Sequence, residues 1–319
     1  MAVGEFDLIK RYFARSAHRR GVALGIGDDC ALLDIPAGKQ LAVSMDTLVA
    51  GVHFPADASS RLIAERALRV NLSDLAAMGA EPLWFTLGLT LPEANPDWLK
   101  DFSVGLFAAA DEFNCVLVGG DTTRGPLSMT LQVHGAVDSK HALRRSGARI
   151  GDLVCVTGCL GDGAAALAVI QDKLWPGAAA REYLLDRFYR PRPQLVEGQL
   201  LLGLASAALD ISDGLVADLG HICECSKVGA VIDMERLPLS NAMRANVGVE
   251  QAKTWALAGG DDYQLCFTLP PAKQLALQAF IDSGQLQATI IGEIVAGSGV
   301  ICRSEGVEVN LSTTGYNHF

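Results

Sequence analysis

The chain lacks several features that would restrict its class. Charged residues make up only 19% of its 319 residues and aromatic residues 6%, whereas half of the residues are apolar. This composition excludes long disordered stretches and predicts one large or two medium-sized domains. The longest apolar runs, such as 164–170, fall far short of the roughly 20 residues that span a bilayer. The sequence therefore predicts neither a membrane anchor nor a membrane partner.

Basic residues and paired cysteines are also scarce. The formal net charge of −10 excludes the basic surface that non-specific nucleic-acid binding requires. The eight cysteines contain no CxxC pair and mostly lie in apolar patterns, which favours reduced, packed thiols. His221 with Cys223 and Cys225 is an alternative that would bind a metal. Acidic residues near the N-terminus, Glu5 and Asp7, stand where a signal peptide would be basic and then apolar, so we expect a cytoplasmic protein.

The usual nucleotide-binding loops are missing as well. There is no G-x-x-x-x-G-K-[ST] loop and no kinase-like glycine loop followed by a strand lysine. The segment 158–163 lacks the G-x-G-x-x-G spacing and is typical of a strand-to-helix turn. Any triphosphate site would then depend on metal bridges and a few cations. Arg144, Arg145 and Arg149 are candidate cations, although they also suit a solvated face.

The first half of the chain carries clear periodic patterns. The spacing predicts helices over 60–78 and 97–113, and Asn95-Pro96 is predicted to open the second of them. Strict alternation of apolar and polar residues over 127–137 predicts a half-buried antiparallel strand. Shorter strands are predicted over 40–44 and 115–118, each opening into an aspartate-containing turn. These elements indicate a sheet covered by helices.

A polar, basic segment at 140–149 separates this half from the next. We therefore divide the chain into an N-terminal domain, 1–138, and a C-terminal α/β domain, 139–319. The second half alternates helices, one of them near 193–207, with antiparallel-looking strands. The overall pattern predicts an α+β fold rather than a doubly wound parallel sheet.

Six short segments place one or two aspartates after an apolar stretch, beside Gly, Ser or Thr. They are 25–29, 44–47, 71–74, 119–124, 210–214 and 259–263. Each segment alone could be an ordinary turn. If they converge, six or more carboxylates would lie close together, and their mutual repulsion would demand cations. Oxygen ligands without His or Cys favour Mg²⁺, the usual metal of phosphoryl transfer.

Together these segments resemble the thiamine-monophosphate kinase family, within the wider superfamily of aminoimidazole ribonucleotide synthetase. The likeness extends from Gly4 to Tyr316. It implies a two-domain fold with an N-terminal mixed sheet whose helices pair across a homodimer. The N-terminal domain, 1–138, would then bind metal and ATP and form the dimer, and 139–319 would be the C-terminal α/β domain. It also implies ATP- and Mg²⁺-dependent phosphorylation of thiamine monophosphate to thiamine diphosphate by direct in-line transfer, without a general base or covalent nucleophile. We expect several Mg²⁺ ions.

The resemblance also implies roles for particular residues. The implied Mg²⁺ ligands are Asp29, Ser44, Met45 (through its backbone carbonyl), Asp46, Asp74, Asp121, Asp210 and Asp213. The implied ATP contacts are Gly120, Asp121, Arg145 and Ser212, and the implied thiamine phosphate contacts are His53, Asp261 and Tyr316. Two positions depart from the family pattern, which often has Thr at Met45 and Glu at Asp261.

Two other interpretations remain open. A sister enzyme would make an aminoimidazole ribonucleotide or selenophosphate; the latter calls for a reactive cysteine in an N-terminal glycine-rich loop, and no cysteine precedes Cys30. A non-catalytic nucleotide-binding relative would be expected to have lost acidic ligands, whereas every segment here keeps its aspartates.

Overall fold

A computed structural model of the chain describes residues 5–15, 21–310 and 315. The chain forms two compact units, residues 1–75 with 80–140 and residues 76–79 with 141–319. No helix in the described part of the chain is long and apolar enough to cross a membrane. The functional roles predicted for 1–138 and 139–319 stay predictions.

The elements that begin in the first unit include one four-stranded sheet and two long helices. They are α1 (Glu5–Leu8) with a π-helical turn (Ile9–Phe13), β1 (Val22–Leu24), β2 (Leu32–Leu33), β3 (Lys39–Val49), α2 (Ser60–Ala77), β4 (Glu81–Leu91), α3 (Pro96–Glu112), β5 (Val116–Arg124) and β6 (Ser128–Asp138). The sheet order is β3-β6-β4-β5, and only β4 and β5 pair in parallel.

Strand β6 lies between β3 and β4 in this sheet, and its buried residues alternate with partly exposed ones over 128–134. Met129, Leu131 and Val133 are completely buried, and the residues between them are partly exposed. The predicted half-buried antiparallel strand is thus confirmed. Helix α3 begins as predicted at Asn95-Pro96, where the Asn95 side chain accepts hydrogen bonds from the N–H groups of Asp97 and Trp98 and so caps the helix.

The second unit contains a larger sheet. Its elements are β7 (Leu153–Thr157), α4 (Asp162–Ile170), α5 (Ala178–Tyr189), α6 (Leu195–Leu200), β8 (Ala207–Asp210), α7 (Leu215–Ser226), β9 (Gly229–Asp233), α8 (Asn241–Asn246), α9 (Val249–Ala258), β10 (Leu265–Leu269), α10 (Gln274–Asp282), β11 (Ala288–Val295), β12 (Gly299–Ser304) and β13 (Val307–Val309). The sheet order is β13-β12-β9-β11-β7-β10-β8, with β12 and β9 parallel and the other pairs antiparallel.

Helix α7 packs on this sheet through one face. Leu215, Leu219 and Ile222 recur at helical spacing, are completely buried, and join the strand residues Val154 and Ile232 in one hydrophobic cluster. This face sets the position of α7 and, with it, the loop that joins β8 to α7. Both units mix helices with largely antiparallel sheets, so the predicted α+β class is confirmed.

Several predicted boundaries were wrong. The strand predicted over 40–44 runs on to Val49, and the strand predicted over 115–118 runs on to Arg124. Their aspartates therefore lie within strands and not in turns, because neighbouring strands supply backbone partners that a local pattern does not reveal. The helix predicted near 193–207 is shortened to α6, and β8 begins where it was expected to end.

The elements that were not predicted from the sequence include β4, α8 and α9. Strand β4 lies between β6 and β5. Its first half contains a continuous buried run, 82–85, which resembles a buried helix. Its second half, 86–91, alternates between partly buried and buried residues and carried a usable strand signal. Helices α8 and α9 are short and are separated by Gly248.

Candidate functional site

A cavity of about 460 Å³ opens in the first unit, a size typical of small-molecule sites. Its acidic lining comes from the 25–31 loop and from the end of β5, with Asp28, Asp29 and Asp121. The apolar part of the lining includes Ile9 and Phe13 of the π-helical turn. The cavity therefore combines carboxylates with an apolar wall, which suits a ligand with a polar and an apolar part.

The strand that carries Gly120 and Asp121 approaches β4 closely. Gly120 has a φ of +155°, and a Cβ at this position would collide with the carbonyl oxygen of Leu87. Only glycine therefore fits here. The close approach keeps this part of β5 in the sheet and leaves the Asp121 side chain exposed at the cavity.

A second acidic group joins β3 to α2. The Ser44 hydroxyl donates to a carboxylate oxygen of Asp74 over 2.6 Å. Two residues along β3, the N–H of Asp46 donates to the side-chain oxygen of Asn71 over 3.0 Å, and the Asn71 amide donates to the Ala67 carbonyl over 2.8 Å. Helix α2 thus holds the backbone of β3 while the Asp46 residue remains exposed.

Met45 belongs to β3, and His53 bonds to the last residue of that strand. The Nδ1 atom of His53 accepts the N–H of Val49 over 3.0 Å, so the neutral imidazole carries its proton on Nε2. Met45 is 58% exposed. Its side chain offers no oxygen ligand, in keeping with the expectation that only its backbone carbonyl would contribute.

In the second unit, the acidic segment 210–214 follows β8. Asp210 is buried and pairs with Leu265 of β10, Asp213 is half-buried and Ser212 is exposed. The N–H groups of Ser212, Asp213 and Gly214 all donate to Oδ2 of Asp218, over 3.1, 3.1 and 3.0 Å. Burial raises the pKa of Asp218 to about 6 although these N–H donors oppose the shift.

The segment 259–263 lies against this loop. The N–H of Asp261 donates to the Ser212 carbonyl over 2.8 Å, and the N–H of Tyr263 donates to the Ile211 carbonyl over 2.8 Å. Asp262 is buried and accepts the N–H groups of Gly161 and Gly163 over 2.8 and 3.2 Å. Of the two adjacent aspartates, Asp262 therefore holds the start of α4, while Asp261 is partly exposed.

Two predicted contacts remain outside these groups. Arg145 is exposed in the 141–150 segment, and its carbonyl accepts the Ser226 hydroxyl over 3.3 Å. Tyr316 lies outside the described residues, although Gly315 is described and a Cβ there would lie 2.9 Å from the Asp213 carbonyl oxygen.

The chemistry of the predicted ligands fits Mg²⁺. Within the described residues, no three His, Cys, Asp or Glu side chains lie close enough together to hold a metal ion. The predicted ligands supply only oxygen, however, and Ser44 with Asp74 already forms one close pair. Hard oxygen donors are the ligands that Mg²⁺ prefers, so the residues fit the ion. The cysteines are free, and Cys223 is buried whereas Cys225 is exposed.

Sequence reasoning missed Asn71, Asp218 and Asp262 as residues that hold the acidic segments. Asp218 carried a usable signal, because an acid in the first turn of a helix commonly binds the N–H groups that precede that helix. Asn71 stands on an apolar helix face and is completely buried. Its role depends on the position of β3, which the local pattern does not contain.

Comparison with known proteins addresses the family directly. Residues 27–137 match the model for the N-terminal domain of AIR synthase related proteins, and residues 149–304 match the model for their C-terminal domain. Thiamine-monophosphate kinase of Escherichia coli K12 is 51% identical over 322 residues, covering 100% of this chain and 99% of the relative. The chain belongs to the thiamine-monophosphate kinase family.

Solved structures of this family agree with the fold. The crystal structure of thiamine-monophosphate kinase from Stenotrophomonas maltophilia K279a has a TM-score of 0.88 and 47% identity, covering 97% of this chain and 99% of that one. A structure described as AaThiL complexed with AMPPCP and TMP has a TM-score of 0.78 and 32% identity, covering 92% of each chain. The predicted two-domain fold of the aminoimidazole ribonucleotide synthetase superfamily is therefore confirmed along nearly the whole chain.

Proposed function

We propose that this chain transfers the terminal phosphoryl group of ATP to thiamine monophosphate and forms thiamine diphosphate. The observation that carries the proposal is full-length membership of the thiamine-monophosphate kinase family at 51% identity, together with the acidic segments retained in both units. The relative crystallised with AMPPCP and TMP supports the same pair of substrates.

Mg²⁺ fits the donor atoms of the acidic segments. We propose several ions, held by Asp29, Ser44, the Met45 carbonyl, Asp46, Asp74, Asp121, Asp210 and Asp213. Bound Mg²⁺ would neutralise phosphate oxygens and so reduce repulsion between the donor and acceptor anions. The protein's own contribution is to hold these oxygens in place, as Asn71 does for the backbone of Asp46.

The acceptor needs little proton chemistry. A phosphate monoester has a second pKa of about 6 and is mostly ionised at neutral pH, so its oxygen is already a nucleophile. We therefore propose direct in-line transfer with no general base and no phosphoenzyme. Positioning and charge compensation then provide most of the rate enhancement.

The remaining contacts are assigned to the two substrates. For ATP we propose Gly120, Asp121, Arg145 and Ser212. For thiamine monophosphate we propose His53, Asp261 and Tyr316. His53 would act through Nε2–H as a donor, because its Nδ1 accepts the Val49 N–H. Asp261 has one methylene fewer than the Glu often found there, so its carboxylate reaches less far.

A homodimer in the cytoplasm completes the proposal. The apolar face of β6 does not require a partner subunit, because Met129 and Leu131 are already buried within the single chain. Support comes instead from β3, an edge strand with Leu41, Val43 and Met45 exposed on one side, since such strands readily pair with another chain.

The cysteines support the proposed cytoplasmic location. All eight are free, which is typical of a reducing compartment.

The first experiment is incubation of the pure protein with ATP, MgCl₂ and thiamine monophosphate, with thiamine species and ADP separated by chromatography. Thiamine diphosphate formed in step with ADP, and lost with EDTA, is the expected result. ADP without thiamine diphosphate would indicate a sister reaction on the same fold. No turnover with intact nucleotide binding would favour a non-catalytic relative. A ³²P-labelled protein trapped during turnover would refute direct transfer.

A further inference from the structure

One buried carboxylate organises the loop between β8 and α7. Asp218, only 4% exposed, lies in the first turn of α7. A single oxygen of its side chain accepts three consecutive backbone N–H groups, those of Ser212, Asp213 and Gly214. Hydrogen bonds from several N–H groups to an ionised carboxylate are among the stronger ones in proteins.

This arrangement has a chemical consequence for the loop. Consecutive N–H groups at the start of a helix commonly bind an external anion such as phosphate. Here the protein's own carboxylate occupies that position, so these three N–H groups are not available to ATP. The loop must then contact its ligand through side chains, and Ser212 and Asp213 are the residues that reach solvent.

We propose that Asp218 is a positioning residue that fixes the 212–214 backbone and thereby orients Ser212 and Asp213 toward the Mg²⁺–ATP complex. The inference rests on the proposed function. Asp210 does not depend on Asp218 in the same way, because it is held by the β8–β10 ladder through Leu265. The N–H of Asp261 donates to the Ser212 carbonyl. The 259–263 segment is also held without Asp218, because Asp262 accepts the Gly161 N–H.

The test compares Asp218→Ala with Asp152→Ala in the full chain. Asp152 is equally buried, accepts the Arg149 N–H over 2.9 Å and accepts the Ser206 hydroxyl over 2.6 Å. Ser206 precedes β8, whereas the 211–214 loop follows it, so Asp152 is a matched buried carboxylate at the other end of the strand. Calorimetry measures the binding of Mg²⁺–AMPPCP and, separately, of thiamine monophosphate, and urea unfolding measures the stability of each variant.

We expect Asp218→Ala to bind Mg²⁺–AMPPCP about 10- to 100-fold more weakly, the loss that is typical when a residue that orients metal ligands is removed. Its affinity for thiamine monophosphate should change much less. Added formate, a small carboxylate that fits the vacated position, should restore much of the nucleotide binding. Asp152→Ala should lose stability but keep the nucleotide affinity of the wild type.

Nucleotide affinity that is unchanged in Asp218→Ala, or lost equally in both variants, would overturn the proposal. If Asp218→Ala does not fold, Asp218→Asn replaces it: its neutral oxygen makes weaker bonds than a carboxylate, so about tenfold weaker nucleotide binding is expected, and unchanged binding would again refute the role. Wild-type protein that forms no thiamine diphosphate would defeat the proposed function alone, because the binding measurement requires no turnover.

Discussion

Carboxylates in this chain occupy two kinds of environment. Asp29, Asp46 and Asp121 are exposed, so a ligand can approach these residues from solvent. Asp218 and Asp262 are buried and use their oxygens to bind backbone N–H groups. The first kind suits metal binding, because a hydrated carboxylate exchanges water for Mg²⁺ at low cost. The second kind holds the backbone on which such ligands are mounted.

The exposed aspartates lead to a direct prediction about activity. Asp46→Asn and Asp121→Asn should each lose most of the turnover, because an amide is a neutral and weaker ligand for Mg²⁺. Folding should be normal, since both side chains are exposed. Steady-state kinetics with varied MgCl₂ and circular dichroism measure the two properties. Asp101→Asn, an exposed aspartate on α3, is the control and should keep full activity. Near-normal rates in both test variants would refute the proposed metal ligands.

The buried Asp262 leads to a prediction about pH. Burial raises its pKa from 3.8 to about 7, against the opposing N–H groups of Gly161 and Gly163. The folded protein therefore binds more protons than the unfolded chain between about pH 4 and 7. The stability from this group is complete below that window and is lost as the pH rises through the folded pKa.

Asp262→Asn cannot titrate, so it should remove this component of the pH dependence. Urea unfolding at about pH 5 and about pH 8 gives the free energy of unfolding for both proteins. The wild type should lose more stability than Asp262→Asn between the two values. A difference between the proteins that stays constant with pH would contradict the raised pKa.

Among the helices and strands, the contact of α3 with α2 illustrates how small residues permit close packing. Gly105 of α3 lies against the backbone of Arg61, and a Cβ at this glycine would collide with the Arg61 carbonyl oxygen. The close contact matters for the site because α2 carries Asn71 and Asp74, which bind the β3 backbone and Ser44. A displaced α2 would shift both interactions.

Gly105→Ala should therefore destabilise the fold by about 1–3 kcal/mol, the usual cost of overpacking. The matched control is Gly220→Ala on α7, where nothing lies within 4 Å of the added Cβ. That substitution should stabilise by about 0.5–1 kcal/mol, because alanine favours a helix over glycine. Urea unfolding of both variants measures the two effects. Equal changes in the free energy of unfolding, in the same direction, would show that the close α2–α3 contact at Gly105 does not determine stability.

At the scale of the whole molecule, β3 serves two purposes. One side of the strand carries Ser44 and Asp46 beside α2, whereas the other carries the exposed Leu41, Val43 and Met45. An eleven-residue edge strand with exposed apolar residues is prone to pair with another chain. Proposed metal ligands and the proposed dimer contact therefore alternate along one strand, so assembly would restrict the movement of the ligands.

Val43→Glu should shift the proposed homodimer to a monomer, because the contact would bury a charge without a partner. Sedimentation velocity at micromolar concentration measures the change. Val249→Glu at the start of α9, in the second unit, is the control, since Val249 is 65% exposed and Val43 is 50% exposed. A Val43→Glu protein that stays dimeric would move the interface away from β3, and a monomeric wild type would end the dimer proposal.

Elements with strong local signals were predicted well from the sequence. Helices α2 and α3 follow from apolar spacing and from the Asn95-Pro96 start, and β6 follows from strict alternation. Strand β4 was missed although its second half alternates, because the continuous apolar run before it, 83–85, is equally typical of a buried helix. The Met45–Asp46 and Gly120–Asp121 pairs were placed in turns, although sheet neighbours keep both in strands.

The amino-acid sequence by itself determined the α+β class, the family and the set of candidate ligands, because these depend on residue identity and short-range spacing. It did not determine which aspartates are exposed and which bind the backbone. Adjacent Asp261 and Asp262 differ in this respect, and so do Asp213 and Asp218. Only the tertiary structure decided this, because exposure and pKa depend on residues that are distant in sequence and close in space.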